Sequence, residues 1–353
     1  MYTKRIYSPR LMLRWTRLEI GLFLILSAIP VVLYDVLGQR WLHVPWLPVA
    51  LVGTAVAFIL GFQNNATYGR IWEARKIWGG IVNTSRAWGL QVKDFITNGF
   101  AAEPVDEDEL RSIHRRLVLR HIAWMTSLRH ALRAPRPWEH FNEHRTNREW
   151  SEAIRVHEHH HTVAEDIEGY LPEDERTAVC AKTNKAAQVL ALQSSDLREL
   201  RGRGLIDDFR HMELERLLCE LLAQQGRSER IKNFPYPRQY ATLNALFVWI
   251  FIFLIPFGLV HEFSKIGADL VDEYPRASGW FVWLSVPFST IVMWIFHTME
   301  RIGGVGENPF EGSANDVPIT TMARGIEIDL REMLDEDPES IPGPIEPVYD
   351  TQM

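Results

Sequence analysis

Long apolar segments dominate this sequence and limit what the chain can fold into. They cover residues 20–37, 41–62, 240–260 and 280–296, and Asp35 is the one charged side chain within them. About 20 predominantly apolar residues are enough to cross a hydrocarbon core of about 30 Å as a helix. A buried helix of a soluble protein would instead be expected to carry a polar face. The segments therefore predict four transmembrane spans.

Basic residues predict the orientation of these spans. The loop between the first and second spans carries only Arg40, whereas basic residues are frequent before span one and after span two: Lys4, Arg5, Arg10, Arg14, Arg17, Arg70, Arg75 and Lys76. Under the positive-inside rule, both termini and the long middle region lie in the cytoplasm. We expect a multi-pass protein of the inner (cell) membrane, whose first span is retained because no small-residue cleavage site follows it.

The region between spans two and three is compatible with helix throughout. Residues 107–132, 183–200 and 205–225 follow amphipathic helical patterns, and strand alternation is not evident. We therefore predict an all-α membrane protein with four transmembrane spans and a large helical cytosolic region. The net charge of -7 argues against a nucleic-acid partner, and the 2 cysteines exclude a disulfide framework.

These patterns also divide the chain into segments. Residues 1–67 hold spans one and two, 68–239 form the cytosolic helical region, 240–299 hold spans three and four, and 300–334 form a cytosolic segment. Residues 134–182 are rich in Pro, Trp, His and charged side chains, so we interpret them as a surface insertion. Residues 335–353 are acidic and rich in proline, which predicts a disordered tail.

Candidate sites for chemistry are few. A histidine-rich run holds His157, His159, His160 and His161. Imidazoles bind zinc, but neighbouring residues of a helix point in different directions, so we interpret the run as a solvated surface and predict no metal site. Cys180 and Cys219 lack CxxC spacing, and the P-loop, GxSxG and HExxH motifs are absent from the sequence. We therefore expect no enzymatic activity and no cofactor.

The second span carries a stripe along one face. Thr54, Phe58 and Phe62 are spaced by four residues, so they share one side of a helix over about 12 Å. Such a stripe is usually part of a packed helix interface. In a symmetric oligomer around a central axis, the same stripe would form stacked rings that line a pore and gate it by dewetting.

Three motifs resemble those of the bestrophin family of ion channels, in its bacterial and plastid branch. They are GFQNNATYGRIWEARKIWG at 61–79, FPYPRQY at 234–240 and NPFEGSANDVPI at 308–319. They occur in the family's order, next to spans at the expected places. The resemblance covers roughly residues 2–133 and 183–330, and the segment between them lies outside it.

The resemblance implies a homopentamer in the lipid bilayer, with a central pore and a large helical cytosolic part. It implies that Thr54, Phe58 and Phe62 form the pore neck and that Phe209, next to Asp208, forms a second constriction near the cytosolic exit. It further implies that the signature residues are structural, joining span two to the cytosolic helices, with Glu73 and Arg75 in buried ion pairs; these residues are Asn64, Asn65, Tyr68, Glu73, Arg75 and Trp78.

Eukaryotic bestrophins bind calcium in an acidic clasp after the NPFG motif. Here Asn308 and Asp316 match clasp positions, but Ser313 stands where the family has a ligand carboxylate. Calcium prefers six to eight oxygen ligands with several carboxylates. We therefore expect no calcium regulation, with this loop as a structural belt between neighbouring subunits.

Three functions remain open at this stage. The first is passive conduction of small anions, mainly chloride, favoured by the family and by the partial positive charge of phenylalanine ring edges. The second is a monovalent cation channel on the same fold, favoured by the net charge of -7 and by the acidic residues near Phe209. The third is a membrane-anchored sensor or scaffold whose cytosolic helices bind a partner.

Overall fold

The chain is helical almost throughout, as its periodicity predicts. The computed structural model describes residues 1–353, apart from the side chain of Ala277. The α-helices are α1 (Pro9–Trp15), α2 (Arg17–Val31), α3 (Trp46–Phe95), α4 (Glu107–Arg133), α5 (Arg145–Ile154), α6 (Val163–Asp166), α7 (Glu173–Cys180), α8 (Lys185–Gly202), α9 (Asp208–Asn233), α10 (Arg238–Asp269), α11 (Pro275–Ser278), α12 (Ser285–Val305) and α13 (Ile319–Met333). A π-helical turn, Val32–Val36, extends α2. The described residues pair in extended conformation only at isolated bridges, so the predicted all-α class is confirmed.

Four segments of the described chain are helices long and apolar enough to cross a membrane. They are Arg17–Val36, Trp46–Phe95, Arg238–Asp269 and Phe281–Val305. Each contains most of one apolar segment of the sequence, and only residues 37, 41–45 and 280 of these segments fall outside the helices. They pack into a bundle, here called the membrane bundle, whose core is built from buried side chains of all four: Phe23, Val49, Val56, Leu60, Val248, Phe251, Ile252, Ile255 and Met293.

Helix α3 joins the membrane bundle to the rest of the molecule without a break. Its 50 residues span about 75 Å at 1.5 Å per residue. Near its start it lies so close to α10 that a Cβ atom on Gly53 would be 2.5 Å from the Phe251 ring. Near its end, a Cβ atom on Gly89 would be 2.5 Å from Leu330 of α13. The boundary predicted at residue 67 therefore falls inside one continuous helix.

The second half of α3 is the centre of an extramembrane domain, which also contains α4–α9 and α13. Its core includes Trp78 and Trp88 of α3 and Trp124 of α4, all fully buried. The Nε1 group of Trp124 donates to Gln225 of α9 across 3.0 Å. The predicted cytosolic helices thus form one hydrophobic core around α3.

Residues 134–182 are part of this domain, and their interpretation as a surface insertion was wrong. Phe141, Ile154, Val156 and Val179 are all buried. The buried Glu158 carboxylate accepts from the Arg129 guanidinium of α4 at 3.0 Å and is bonded to Thr320 of α13. The polar composition of this segment misled the prediction because its charged groups have partners on neighbouring helices.

The end of the acidic tail is folded against the N-terminus, so the predicted disorder was wrong for these residues. Thr351 forms a bridge with Tyr2, and Thr3 N donates to Asp350 O at 2.8 Å. The Met353 carbonyl accepts from the N–H of Thr321 at 2.6 Å. Both termini therefore lie together, against the start of α13.

Candidate pore and its supporting contacts

The stripe formed by Thr54, Phe58 and Phe62, here called the neck stripe, lies on the face of α3 that points away from the membrane bundle. Within one chain, Phe58 is 66% exposed and Phe62 is 72% exposed, and their ring centroids are 6.5 Å apart. Thr54 is also exposed, and its hydroxyl donates to Ala50 O of the preceding turn at 2.9 Å. The opposite face of α3 carries the buried core residues. The stripe is therefore not part of the packing within one chain, which leaves it to face a pore, another subunit or lipid.

A buried polar layer next to Phe62 fixes how α3 is rotated about its axis. Gln63 is 2% exposed, and its Oε1 accepts from Asn244 Nδ2 of α10 at 3.1 Å. Its Nε2 lies 3.5 Å from the buried Glu307 carboxylate beyond α12. Asn64 Nδ2 donates to Met299 O of α12 at 3.2 Å. Rotating α3 would break these bonds, so the layer holds the stripe outward.

Arg70 makes a second set of contacts that sequence reasoning missed. Its Nε donates to Glu307 O at 2.8 Å, and its Nη2 donates to Ile231 O at 3.0 Å and to Phe234 O at 2.9 Å. Glu307 also pairs with Arg238. These contacts join α3 to the end of α12 and to the α9–α10 turn. Gln63 and Arg70 both lie within the 61–79 motif, and this motif was the sequence signal that could have pointed to their contacts.

The signature residues divide into buried and exposed positions. Trp78 is fully buried, whereas Asn65 is exposed and Tyr68 stacks on Trp72 at the surface. Glu73 pairs with Arg230 of α9 at 2.5 Å, and within the chain the Arg230 side chain is exposed and the Glu73 side chain half-buried.

The exposed Arg75 guanidinium contacts Met1 Sδ at 2.9 Å. Buried ion pairs for Glu73 and Arg75 were therefore a wrong prediction for the single chain. Glu73 and Arg75 are two residues apart, so their side chains point to different sides of α3 and do not share one buried site.

Phe209 stands at the first turn of α9 and is 82% exposed. The turn beneath it is rigid, because Leu205 and Ile206 are buried in the domain core. The Asp207 carboxylate caps the helix by accepting from Phe209 N at 2.8 Å and from Arg210 N at 3.0 Å.

The neighbouring Asp208 is paired with Arg201 at 2.5 Å. The Phe209 ring is therefore exposed to solvent, next to Asp208, whose negative charge is compensated by Arg201.

The belt segment folds around the Asp316 carboxylate. Asp316 accepts from Gly312 N at 2.6 Å, is bonded to the Ser313 hydroxyl and lies 3.3 Å from the Arg133 guanidinium. Both Arg133 and Asp316 are buried. Asp316 is therefore held by donors from the protein itself.

The second belt carboxylate, Glu311, accepts from Phe141 N at 2.6 Å and from Asn308 Nδ2 at 3.1 Å. Burial, reinforced by the nearby Asp316 and Glu139 carboxylates, raises the pKa of Glu311 to about 7. Calcium requires several ionised oxygen ligands that are free to coordinate it. One belt carboxylate is engaged by an arginine and the other by a backbone N–H and an amide, so neither is free to coordinate a calcium ion in this arrangement.

All four histidines of the run are exposed, as a solvated surface predicts, and His157 is bonded to the domain. Asp166 accepts from His157 Nε2 and from His130 Nε2 of α4, each at 2.8 Å. Burial opposes ionisation of Asp166, but these two bonds outweigh it and lower the pKa of the carboxyl to about 2. Together with the Glu158–Arg129 pair, they attach this segment to α4.

Comparison with known proteins identifies the chain. The sequence profile of the family described as Bacterial/Fungal Bestrophin protein matches residues 17–332, which includes both the spans and the extramembrane domain. This chain belongs to the bestrophin family. The match also includes residues 134–182, which had been placed outside the resemblance.

Curated relatives of this bestrophin are named as channel proteins. The voltage-dependent anion channel-forming protein of Ralstonia nicotianae is 27% identical, over 83% of this chain and 82% of the relative. The voltage-dependent anion channel-forming protein YneE of Escherichia coli is 26% identical, over 82% of this chain and 77% of the relative. A bacterial bestrophin homolog from Klebsiella pneumoniae has a solved structure with a TM-score of 0.71 and 24% identity, covering 90% of this chain and 98% of that one. At this level of identity, the structural similarity shows a shared fold.

Proposed function

We propose that this bestrophin is the subunit of a homopentameric channel that conducts small anions, chloride above all, across the inner membrane. The observation that carries the proposal is the outward position of Phe58 and Phe62 on a helix whose opposite face is the bundle core. An exposed apolar face of a span meets lipid, another subunit or a pore, and the four-residue spacing of this stripe suits stacked rings around a pore axis. The printed names of the curated relatives support the anion assignment.

In this proposal, α3 helices from each subunit surround the axis, and their Phe58 and Phe62 rings form the neck with Thr54 at its outer end. An apolar constriction admits ions only when it is wetted. The ring edges of phenylalanine carry partial positive charge, which stabilises an anion as it loses water. Phe209 forms the second constriction on the cytosolic path. The acid beside it, Asp208, is neutralised by Arg201, which removes one argument for cation selectivity.

The proposed orientation places both termini and the extramembrane domain in the cytoplasm. Basic residues before α2 and after the membrane half of α3 support it under the positive-inside rule. The pairing of Tyr2 with Thr351 supports a common side for the two termini.

We also propose that conduction needs no calcium. Asp316 is paired with the buried Arg133, and Glu311 accepts from Phe141 N and Asn308 Nδ2, so both carboxylates already have donors from the protein. The belt is then a structural element, whose donors and acceptors hold residues 308–316 against α4 and the segment around Phe141.

Reversal-potential measurement with the purified protein in bilayers tests this function. In a KCl gradient, an anion channel gives a reversal potential near that of chloride. A reversal potential near that of potassium would assign the same pore to monovalent cations. A silent bilayer containing intact oligomers would favour a sensor or scaffold role. Native mass spectrometry of the same sample tests the pentamer, because a monomer or dimer would contradict the pore.

A further inference from the structure

A cavity of about 350 Å³ lies outside the proposed pore, between α1, α5, the end of α12 and the tail. Its size is within the range of about 300–1,000 Å³ found for natural ligand pockets. Its walls are mostly apolar and include Leu11, Trp15, Trp150, Ile302 and Val305. Such a lining suits a hydrocarbon chain.

Buried polar groups at the wall have unused hydrogen-bonding capacity. Asn147 is 1% exposed, and its Oδ1 accepts from Trp15 Nε1 at 2.7 Å and from Arg301 Nη2 at 3.1 Å. Its Nδ2 has no partner among the described residues, and neither does Trp150 Nε1. Buried donors are nearly always paired in folded proteins. Both donors lie beside the apolar cavity but are covered by neighbouring atoms, so the shape of the cavity and the charge at its rim indicate the ligand.

The position of the cavity indicates which ligand. Ile302 and Val305 belong to the last turns of the fourth candidate span, and α1 leads directly into the first. The cavity therefore lies where the membrane bundle meets its basic end. At its rim, Arg17 is paired with Glu149 at 2.7 Å, whereas the Arg14 side chain has no acidic partner among the described residues. Basic side chains in this position attract anionic lipid head groups.

We propose that this cavity binds one acyl chain of an anionic phospholipid from the cytoplasmic leaflet. Arg14 contacts the phosphate, and the acyl chain packs against Leu11, Ile302 and Val305. The leaflet rests on the orientation proposed above. The binding site itself is separate from the neck, so it is tested without measuring ion current.

Photolabelling of the intact oligomer tests the site. The probes are phosphatidylglycerol and phosphatidylcholine with a diazirine on the acyl chain, and labelled peptides are mapped by mass spectrometry. Ala153→Trp fills the cavity, because Ala153 lines it from the exposed face of α5, and Glu152→Trp places the same bulk next to it but outside the lining. Arg14→Gln removes the proposed phosphate contact, and Arg10→Gln is its control away from the lining.

We expect phosphatidylglycerol to label residues 141–154 and 302–305, and Ala153→Trp but not Glu152→Trp to abolish that labelling. Arg14→Gln should reduce labelling about fivefold, which corresponds to about 1 kcal/mol for one basic residue near the membrane surface. Equal labelling of Ala153→Trp and the unmodified protein would overturn the proposal. So would equal labelling by phosphatidylcholine. Absence of labelling, with Ala153→Trp dissociating the oligomer, would show that a second copy of the chain occupies the cavity instead.

Discussion

Asn244 of α10 donates from Nδ2 to Gln63 Oε1 of α3 across 3.1 Å, one residue beyond Phe62 of the proposed neck. Asn244→Leu would leave the buried Gln63 amide without this partner. An unsatisfied buried polar group costs about 1–3 kcal/mol. We expect a lower unfolding temperature and a less uniform single-channel conductance, because α3 is less firmly held about its axis.

The control for this change is Asn65→Leu, at an exposed position of the same motif. It should leave the stability of the isolated subunit close to that of the unmodified protein. An equal loss of stability in both variants would show that the Gln63–Asn244 hydrogen bond has no special part in holding α3.

Phe58→Ala should raise conductance and open probability while the oligomer remains assembled. The Phe58 ring is 66% exposed within the chain, so its loss leaves no cavity in the bundle core. Single-channel current and native mass spectrometry measure the two quantities on one sample. The matched control is Phe251→Ala on α10, which removes a buried ring and should cost about 3–5 kcal/mol of stability. A destabilised Phe58→Ala oligomer with unchanged conductance would place the ring between helices rather than in the pore.

Glu73→Ala should have a small effect, below about 1 kcal/mol, because the Glu73–Arg230 pair is accessible to solvent in the chain. Arg133→Ala should be far more damaging, about 3–5 kcal/mol, because it leaves Asp316 buried without its cation. Expression level and thermal unfolding of the two variants provide the comparison. A Glu73→Ala protein that fails to assemble would show that this surface is buried between subunits.

Glu311 should make stability depend on pH near neutrality. Burial raises its pKa from the ordinary value of 4.5 to about 7 in the folded chain. A group with a raised folded pKa contributes stability that is complete below its unfolded pKa and is lost as pH rises through the folded value. The Gln side chain is neutral at every pH. As pH rises from about 4.5 to 7, the unfolding temperature of Glu311→Gln should therefore increase relative to that of the unmodified protein.

Thermal unfolding at pH 5 and pH 8 measures this gain, with Glu152→Gln at an exposed position as the control. A constant difference between Glu311→Gln and the unmodified protein at both pH values would contradict the raised pKa of Glu311.

Calcium chelation should leave the current unchanged, because Arg133 and the Gly312 N–H already satisfy the belt carboxylate Asp316. Bilayer recordings before and after addition of a chelator, followed by micromolar calcium, make the test. Current that disappears in chelator and returns with calcium would contradict the structural interpretation of the belt.

The spans and the neck stripe could be predicted from the sequence because both depend on local spacing along one helix. An uncharged run reports a membrane span directly, and residues four apart share a helix face. Thr54, Phe58 and Phe62 accordingly lie together on the exposed side of α3.

Contacts between distant segments carry no such periodic signal. The composition of residues 335–353 indicated disorder, yet Thr351 is paired with Tyr2 at the other end of the chain. Likewise, nothing in the sequence near Glu158 or Asp166 shows that Arg129 and His130 of α4 hold them. These contacts depend on how the helices are arranged, which the pattern of one segment does not specify.

Helix α3 has a mechanical consequence. Phe58 at the proposed neck and the buried Trp88 in the extramembrane domain belong to the same unbroken helix, with about 45 Å of it between them. An unbroken helix of this kind carries part of any twist applied at Trp88 along to the Phe58 ring. A molecule that turns the extramembrane end of α3 would thereby act on the width of the proposed neck from a distance.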